Sequence, residues 1–370
     1  MNSHDPSSIS RRDFLRLAGV AAVGTLAAGC QPTEKAPETI PVKKDANTTK
    51  PVVAIAQADS YDPQLLDRKV SELIDQLGGL GDVVKAGDTV AIKVNLTGGT
   101  KSGLIPGISA VESFVTHPLL AQALIKRVQA AGAKEVYIVE SVYEWESYTT
   151  WGYREIADAT GAKLLDLNQA KPYDDFVDAP VGENSFIYPN FVFNKLLTEI
   201  DVFMSVSKMK NHYNAGVTHT MKNLYGLVPY RFYRLSPGDT YRSGFHGEAA
   251  QIKSRLPRVI IDVNRARKIH FGLVDGIMTT EGGEGPWIAT INPKRVNVLI
   301  AGKSPLATDT VATAVMGHDP AGEYPNAPYI RCDNHLNLAA AMGFGSNKLE
   351  DIEVVGVPIE KVKTQFSPAY

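Results

Sequence analysis

Between residues 51 and 166 short apolar runs alternate with amphipathic stretches, and this alternation restricts the fold more than any other feature. Residues 51–58 are a Val/Ile/Ala run. Asp62-Pro63 then opens a segment in which Leu65, Leu66, Val70, Leu73, Ile74 and Leu77 recur at helical spacing. The order repeats with a strand at 89–94 after the Gly87-Asp88 turn, and a helix from Thr116-His117-Pro118 to about 131, stopped by Gly132. A strand at 135–140, a helix at 151–160 and a strand at 163–166 follow. Such alternation packs as a parallel sheet covered by helices on its faces. The expectation is a three-layer α/β protein with a mostly parallel sheet, open to division into two subdomains.

The second half keeps this style. Strands are expected at 202–207, 270–274, 296–301 and 352–355, and helices at 216–225, 248–267, 306–316 and 336–342. Pro257 should bend or interrupt the second of these helices. Residues 168–195 have weak periodicity and several Pro, Asp and Asn, which suits a small insertion or hairpin. Any subdivision of the 51–357 domain would fall near 168–200, and 358–370 reads as a C-terminal tail.

The first fifty residues read as an address and a tether. Ser10-Arg11-Arg12-Asp13-Phe14-Leu15 is a twin-arginine export pattern. An uncharged run from 17 to 29 is too short to span a bilayer and suits a signal sequence. It ends in Leu26-Ala27-Ala28-Gly29-Cys30, which looks like a bacterial lipobox with Cys30 as the acylated residue. Residues 31–50, rich in Pro, Thr, Lys, Glu and Ala, read as a flexible linker. The chain is thus expected to pass through the twin-arginine translocase and sit in the periplasm or on the outer cell surface, held to a membrane through Cys30. That route carries folded proteins, often with a cofactor already loaded.

Composition removes several classes. Lys plus Arg number 38 against 40 Asp plus Glu, a net charge of −2, so the basic footprint of a nucleic-acid binder is missing. Two Cys cannot ligate an iron–sulfur cluster or a four-Cys zinc site within this chain. There is no Gly-x-Ser-x-Gly, no P-loop and no Gly-x-Gly-x-x-Gly after the first strand.

The chemistry-bearing residues gather after the expected strand 202–207. In open parallel sheets ligands bind beyond the carboxyl ends of the strands. Lys208, Lys210 and His212 alternate there, so in extended chain they share one side. Gly216-x-Thr218 is expected to open a helix whose N–H groups would favour an anion, with Lys222 and Asn223 one turn in. Arg231, Arg234 and Arg242 follow among Tyr230, Phe232, Tyr233 and Tyr241. This makes either a pocket for a carboxylate or phosphate or a solvated basic loop. Lysines converging in one concavity repel, which lowers at least one pKa and would suit a general base or nucleophile. Lys93 and Asn95 precede the glycine-rich 97–103 loop, either a second wall of that site or a surface loop. Asp275, Glu281 and Glu284 would ligate a divalent metal with His212, His219 or His246, or pair with the lysines instead. Asp309, in the first turn of a helix, either complements the helix dipole or stands at the ligand edge. Cys332 has no sequence neighbour that marks it as reactive.

Two long blocks, Lys208-Met209-Lys210-Asn211-His212-Tyr213 and 216–229 with its Lys222-Asn223-Leu224-Tyr225-Gly226 core, resemble the bacterial and archaeal family called domain of unknown function 362. Lys93-Val94-Asn95, Thr116-His117-Pro118, Glu140-Ser141, Asp275-Gly276, Glu281-Gly282 through Gly285-Pro286 and Ala307-Thr308-Asp309 agree with that pattern, so the resemblance covers most of 51–357. It raises the standing of His117 as a site residue. Many members resemble this domain joined to a ferredoxin-type module, which implies a redox partner protein, but this chain departs from that pattern in having no Cys cluster. A remote fold similarity to nickel-pincer lactate racemases is an analogy only. Two functions remain open. One is an enzyme acting on a small anionic metabolite through Lys and His. The other is a periplasmic accessory protein holding an anionic ligand or cofactor for a redox partner. Convergent Lys, His and Asn favour chemistry, since simple anion capture prefers Arg forks.

Overall fold

The computed structural model describes residues 49–370; the export pattern, Cys30 and linker positions 31–48 lie outside the described residues. The strands are β1 (Val52–Gln57), β2 (Thr89–Lys93), β3 (Glu135–Glu140), β4 (Lys163–Asp166), β5 (Phe176–Pro180), β6 (Asn190–Asn194), β7 (Val202–His212), β8 (Gly216–Thr218), β9 (Phe271–Glu281), β10 (Asn292–Gly302) and β11 (Glu353–Gly356). The longer helices are α1 (Pro63–Gln76), α2 (Pro118–Ala130), α3 (Tyr153–Thr160), α4 (Arg255–Ala266), α5 (Pro305–Val315) and α6 (His335–Ala341). Nine strands form one mixed sheet in the order β11-β1-β10-β9-β7-β2-β3-β4, with β8 paired to β7. Only β10 and β8 run against the rest. The fold is therefore α/β with a mostly parallel sheet.

Alternate residues of the strands face opposite helical layers. Ala54, Ala56, Ile92, Ile138 and Met204 pack with α1, α2 and α3 on one face. Val53, Ile55 and Ile300 pack with α5 on the other, where Ala91, Val139 and Phe203 meet α4. Leu66, Val70, Leu73 and Ile74 of α1 are buried, each worth about 1.5–3 kcal/mol of burial. Helix starts follow local chemistry: the Asp62 carboxylate accepts from Leu65 N–H at 2.8 Å, and His117 Nδ1 accepts from Leu119 N–H at 3.3 Å, each just before a Pro.

Three elements differ from expectation. The helix expected from 248 begins at Arg255, so Pro257 sits in its first turn, where its missing N–H costs nothing. Strand β7 continues past 207 to His212, every residue buried. Residues 216–225 are not a helix: Gly216–Thr218 pairs antiparallel with Lys210–His212, and Lys222–Leu227 is 3₁₀. Gly216 has φ +75°, and a Cβ there would lie 2.5 Å from the Tyr329 ring, so the chain turns rather than coils. Residues 168–195 hold the β5–β6 hairpin, whose Phe191 and Phe193 enter the core. The segment after 358 packs on the domain through buried Val362 and Phe366.

Candidate functional site

From β2 the chain proceeds outward to β3 and β4, and from β7 it proceeds the other way to β9. The crevice beyond the carboxyl ends of β2 and β7 is thus a topological switch point, where open α/β sheets bind ligands. Lys93 ends β2, while Lys208, Lys210 and His212 end β7.

Most of these lysines hold the scaffold. Lys208 Nζ meets Asp275 Oδ2 at 2.9 Å, with both side chains fully buried. It also donates to Tyr61 Oη at 2.9 Å and to the Val111 carbonyl at 3.2 Å. Asp275 accepts in addition from Tyr61 O–H (2.8 Å) and His117 N–H (3.1 Å), and the Tyr61 and His117 rings stack at 3.8 Å. Burial pushes the His117 pKa down to about 4. Lys93 pairs with Glu140 at 2.8 Å and donates to the Val94 carbonyl. Lys210 has no carboxylate partner among the described residues; it donates to Asn95 Oδ1 (2.9 Å) and the Phe114 carbonyl (2.7 Å). Burial, then the nearby Lys222, push its pKa far below the usual lysine range. Asn223 Oδ1 accepts from Asn95 Nδ2 (2.9 Å), while its Nδ2 donates to Ser205 Oγ (3.1 Å), tying β2 to β7.

Lys222 is different. It forms no hydrogen bond or ion pair among the described residues, and its Nζ lies 4.6 Å from the centre of the Tyr225 ring. It lines a cleft of about 580 Å³ and an adjoining annex of about 40 Å³, which also share Thr97, Tyr143 and Tyr225. Burial lowers its pKa to about 8; Glu284 opposes the shift, and Lys93 and Arg242 add to it. Arg242 is a second buried cation, on the annex wall, with no ion pair among the described residues. Its Nε and Nη2 donate to the Val228 (2.8 Å) and Ser141 (3.4 Å) carbonyls, and its guanidinium lies 5.4 Å from the Tyr225 ring centre.

Two histidines face the cleft. Asn214 N–H donates to His212 Nδ1 at 3.1 Å, which places the imidazole proton on Nε2, 3.9 Å from Glu284 Oε1. Burial and Lys222 hold this ring neutral. Asn214 Nδ2 lies 3.1 Å from His246 Nδ1, and His246 Nε2 lies 3.3 Å from Tyr225 Oη, whose O–H donates to the Arg242 carbonyl at 3.1 Å. That chain orients the Tyr225 ring under both cations.

Other expected residues stand apart. Thr218 is buried on β8, with no partner for its Oγ1 among the described residues. His219 is fully buried, neither ring nitrogen has a partner among the described residues, and burial drops its pKa to about 3. Glu281 pairs with Lys294 at 3.0 Å and accepts from Ser367 N–H at 2.8 Å, so it is not beside His212; Glu284 is. The metal set His212, His219 and Glu281 does not converge, and among the described residues no three His, Cys, Asp or Glu side chains are grouped to hold an ion. Asp309 is not at the ligand edge, because β10 runs in reverse and delivers α5 to the other end of the sheet. Its carboxylate accepts from the N–H groups of Thr220 (2.8 Å) and Met221 (2.9 Å), and burial raises its pKa to about 7. Burial pushes the Cys332 thiol up to about 12, which keeps it protonated. Tyr143 and Trp287 on the cleft wall carried no motif that singled them out, though each abuts a glycine, Gly99 and Gly285.

The profile of the family described as Domain of unknown function (DUF362) matches residues 90–314, which hold Lys93, β7, Lys222, Arg242 and Glu284. The chain belongs to the DUF362 family. A curated relative, the thylakoid-associated protein sll1697 of Synechocystis sp., is 28% identical over 271 residues, 73% of this chain and 75% of its own. Two solved structures are similar at a TM-score of 0.36: a structural-genomics protein from Thermotoga maritima, 14% identical, and the lactate racemase apoprotein from Thermoanaerobacterium thermosaccharolyticum, 13% identical. They match 68% and 66% of this chain, which spans just over half of each, 57% and 54%. Likeness at that level carries no argument about activity. No helix among the described residues is long and apolar enough to cross a membrane.

Proposed function

We propose that this DUF362 protein is an enzyme that binds a small anionic metabolite in the switch-point cleft and moves a proton through Lys222. One observation carries the reading: Lys222 is buried at the cleft and Arg242 on the wall of its annex, and among the described residues neither forms an ion pair with a carboxylate. A buried cation without a counter-charge is costly, and an incoming carboxylate or phosphate would supply that charge. With a pKa of about 8, the Lys222 amine is partly neutral near pH 7, so it can accept a proton from a bound carbon or oxygen acid and return it. His212, neutral with Nε2–H toward Glu284, supplies a donor on the same cleft. Lys93–Glu140, Lys208–Asp275 and Lys210–Asn95 hold the strand ends that position this pair.

The test is deuterium wash-in. The protein is incubated in D₂O with a panel of small carboxylic and phosphorylated metabolites, and exchange at carbon is followed by NMR. Exchange by the native protein, lost in Lys222→Met, supports the enzyme. Binding of an anion without exchange of any panel member favours an accessory ligand-holding protein.

The Ser10–Leu15 pattern and Cys30 support export by the twin-arginine route and lipid anchoring, and the thylakoid association of the relative accords with a membrane location. Cys30→Ala should release the protein from the membrane fraction; retention would refute anchoring at that residue.

A further inference from the structure

Singly exposed apolar side chains need no explanation, but a cluster at one opening does. Ten large apolar side chains are exposed among the described residues, and four of them, Trp287, Tyr241, Tyr143 and Leu235, line the one cleft above Lys222. Trp287 is 45% exposed and yet fixed. Its Nε1–H donates to Glu284 Oε1 at 3.3 Å, and its ring meets Phe114 edge-on at 6.4 Å. Both neighbouring glycines are needed for that pose: a Cβ at Gly98 would lie 2.3 Å from the indole, and one at Gly285 would lie 2.2 Å from it. Tyr241 stands edge-on to His246 at 6.2 Å. The cleft therefore has two halves. On one side Lys222 and, on the annex wall, Arg242 form no ion pair among the described residues; at the mouth stand rings open to solvent, of which Trp287 is held by a hydrogen bond and close packing.

We infer that the ligand of this cleft is an aryl anion, a planar aromatic body carrying one carboxylate or phosphate. The body stacks against Trp287, Tyr241 and Tyr143 at the mouth, and the anionic group reaches Lys222 and Arg242 below. This rests on the anion site proposed above and adds the class of molecule that fills it. Rings prefer offset-stacked or edge-to-face contact with another ring, and pockets of this size combine a mainly apolar wall with a few polar groups that fix orientation. A small aliphatic anion would satisfy the floor and leave the rings exposed.

Isothermal titration of the full chain with four probes tests this: acetate, benzoate, inorganic phosphate and phenyl phosphate. The inference predicts that the aryl member of at least one pair binds at least tenfold more tightly than its simple partner. That preference should fall to near unity in Trp287→Ala, the aryl anion losing far more affinity than the simple one, and should largely survive in Trp287→Phe, which also guards against loss of folding. The pair that binds more tightly identifies the anionic group. Equal binding of aryl and simple anions overturns this inference and leaves the anion site standing. An equal loss of both probes in Trp287→Ala and Trp287→Phe assigns the ring to folding and likewise overturns it. Failure of every anion to bind overturns the Lys222–Arg242 site and this inference with it.

Discussion

Replacing Lys222 with Met should stabilise the ligand-free protein while removing its anion site. Lys222 is nearly buried and its pKa is about 8 against 10.5 in the unfolded chain. The folded-state pKa is the lower one, so between pH 8 and 10.5 the unfolded chain holds more protons and stability rises with pH. Below pH 8 the full burden of the buried ammonium applies. A shift of that size corresponds to about 3 kcal/mol, an order-of-magnitude figure. Met keeps the length and the apolar stem and carries no charge, so Lys222→Met should gain up to about 3 kcal/mol at pH 7 and much less at pH 10.5. Guanidinium unfolding at both pH values, after dialysis into a buffer free of multivalent anions, gives the comparison. A variant less stable than the native protein at pH 7, or a difference that does not shrink by pH 10.5, would show that the folded chain supplies Lys222 with a counter-charge. The argument for a vacant anion site would then fail.

Other predictions follow from the scaffold. Gly226→Ala would place a Cβ 2.2 Å from Glu140 Oε1 and 2.8 Å from Lys93 Nζ; such overpacking should cost about 1–3 kcal/mol in urea unfolding. Lys208→Met strands the buried Asp275 carboxylate and should cost about 3–5 kcal/mol, with the double variant Lys208→Met/Asp275→Leu recovering part of it. Phosphate affinity, measured by titration calorimetry from pH 6.5 to 9.5, should weaken as pH rises through about 8, because the folded-state Lys222 loses its charge there. Affinity that is flat across that range would place the anion elsewhere.

Much of the fold is legible because its signals are local. Asp62-Pro63 and His117-Pro118 mark helix starts through contacts two or three residues away, and the apolar runs of β1, β2 and β3 need no distant information. The site is legible to the extent that strand ends carry it, as with Lys93 and Asn95. Beyond Ser207 the sequence leaves two readings open for Lys208, Lys210 and His212, an anion pocket or a solvated basic loop. The burial of Lys208 and Lys210 depends on Asp275, Asn95 and the Phe114 carbonyl, partners between 67 and 115 residues away. The reversal of β10 likewise has no local signature, and it alone removes Asp309 from the ligand edge. Which lysine is free could not be read from the motif either. Lys93, Lys208 and Lys222 share a residue type, and only the fold gives two of them a carboxylate.

The most direct measurement is the pKa of Lys222 itself, from NMR of side-chain ¹⁵N-labelled lysine with Lys222→Met used for assignment. The account predicts a resonance titrating near pH 8 in the ligand-free protein and shifting to higher pH when phosphate or benzoate is added. A Lys222 that titrates near 10.5 and ignores both anions would contradict the claim that this cleft is built around an unpaired cation.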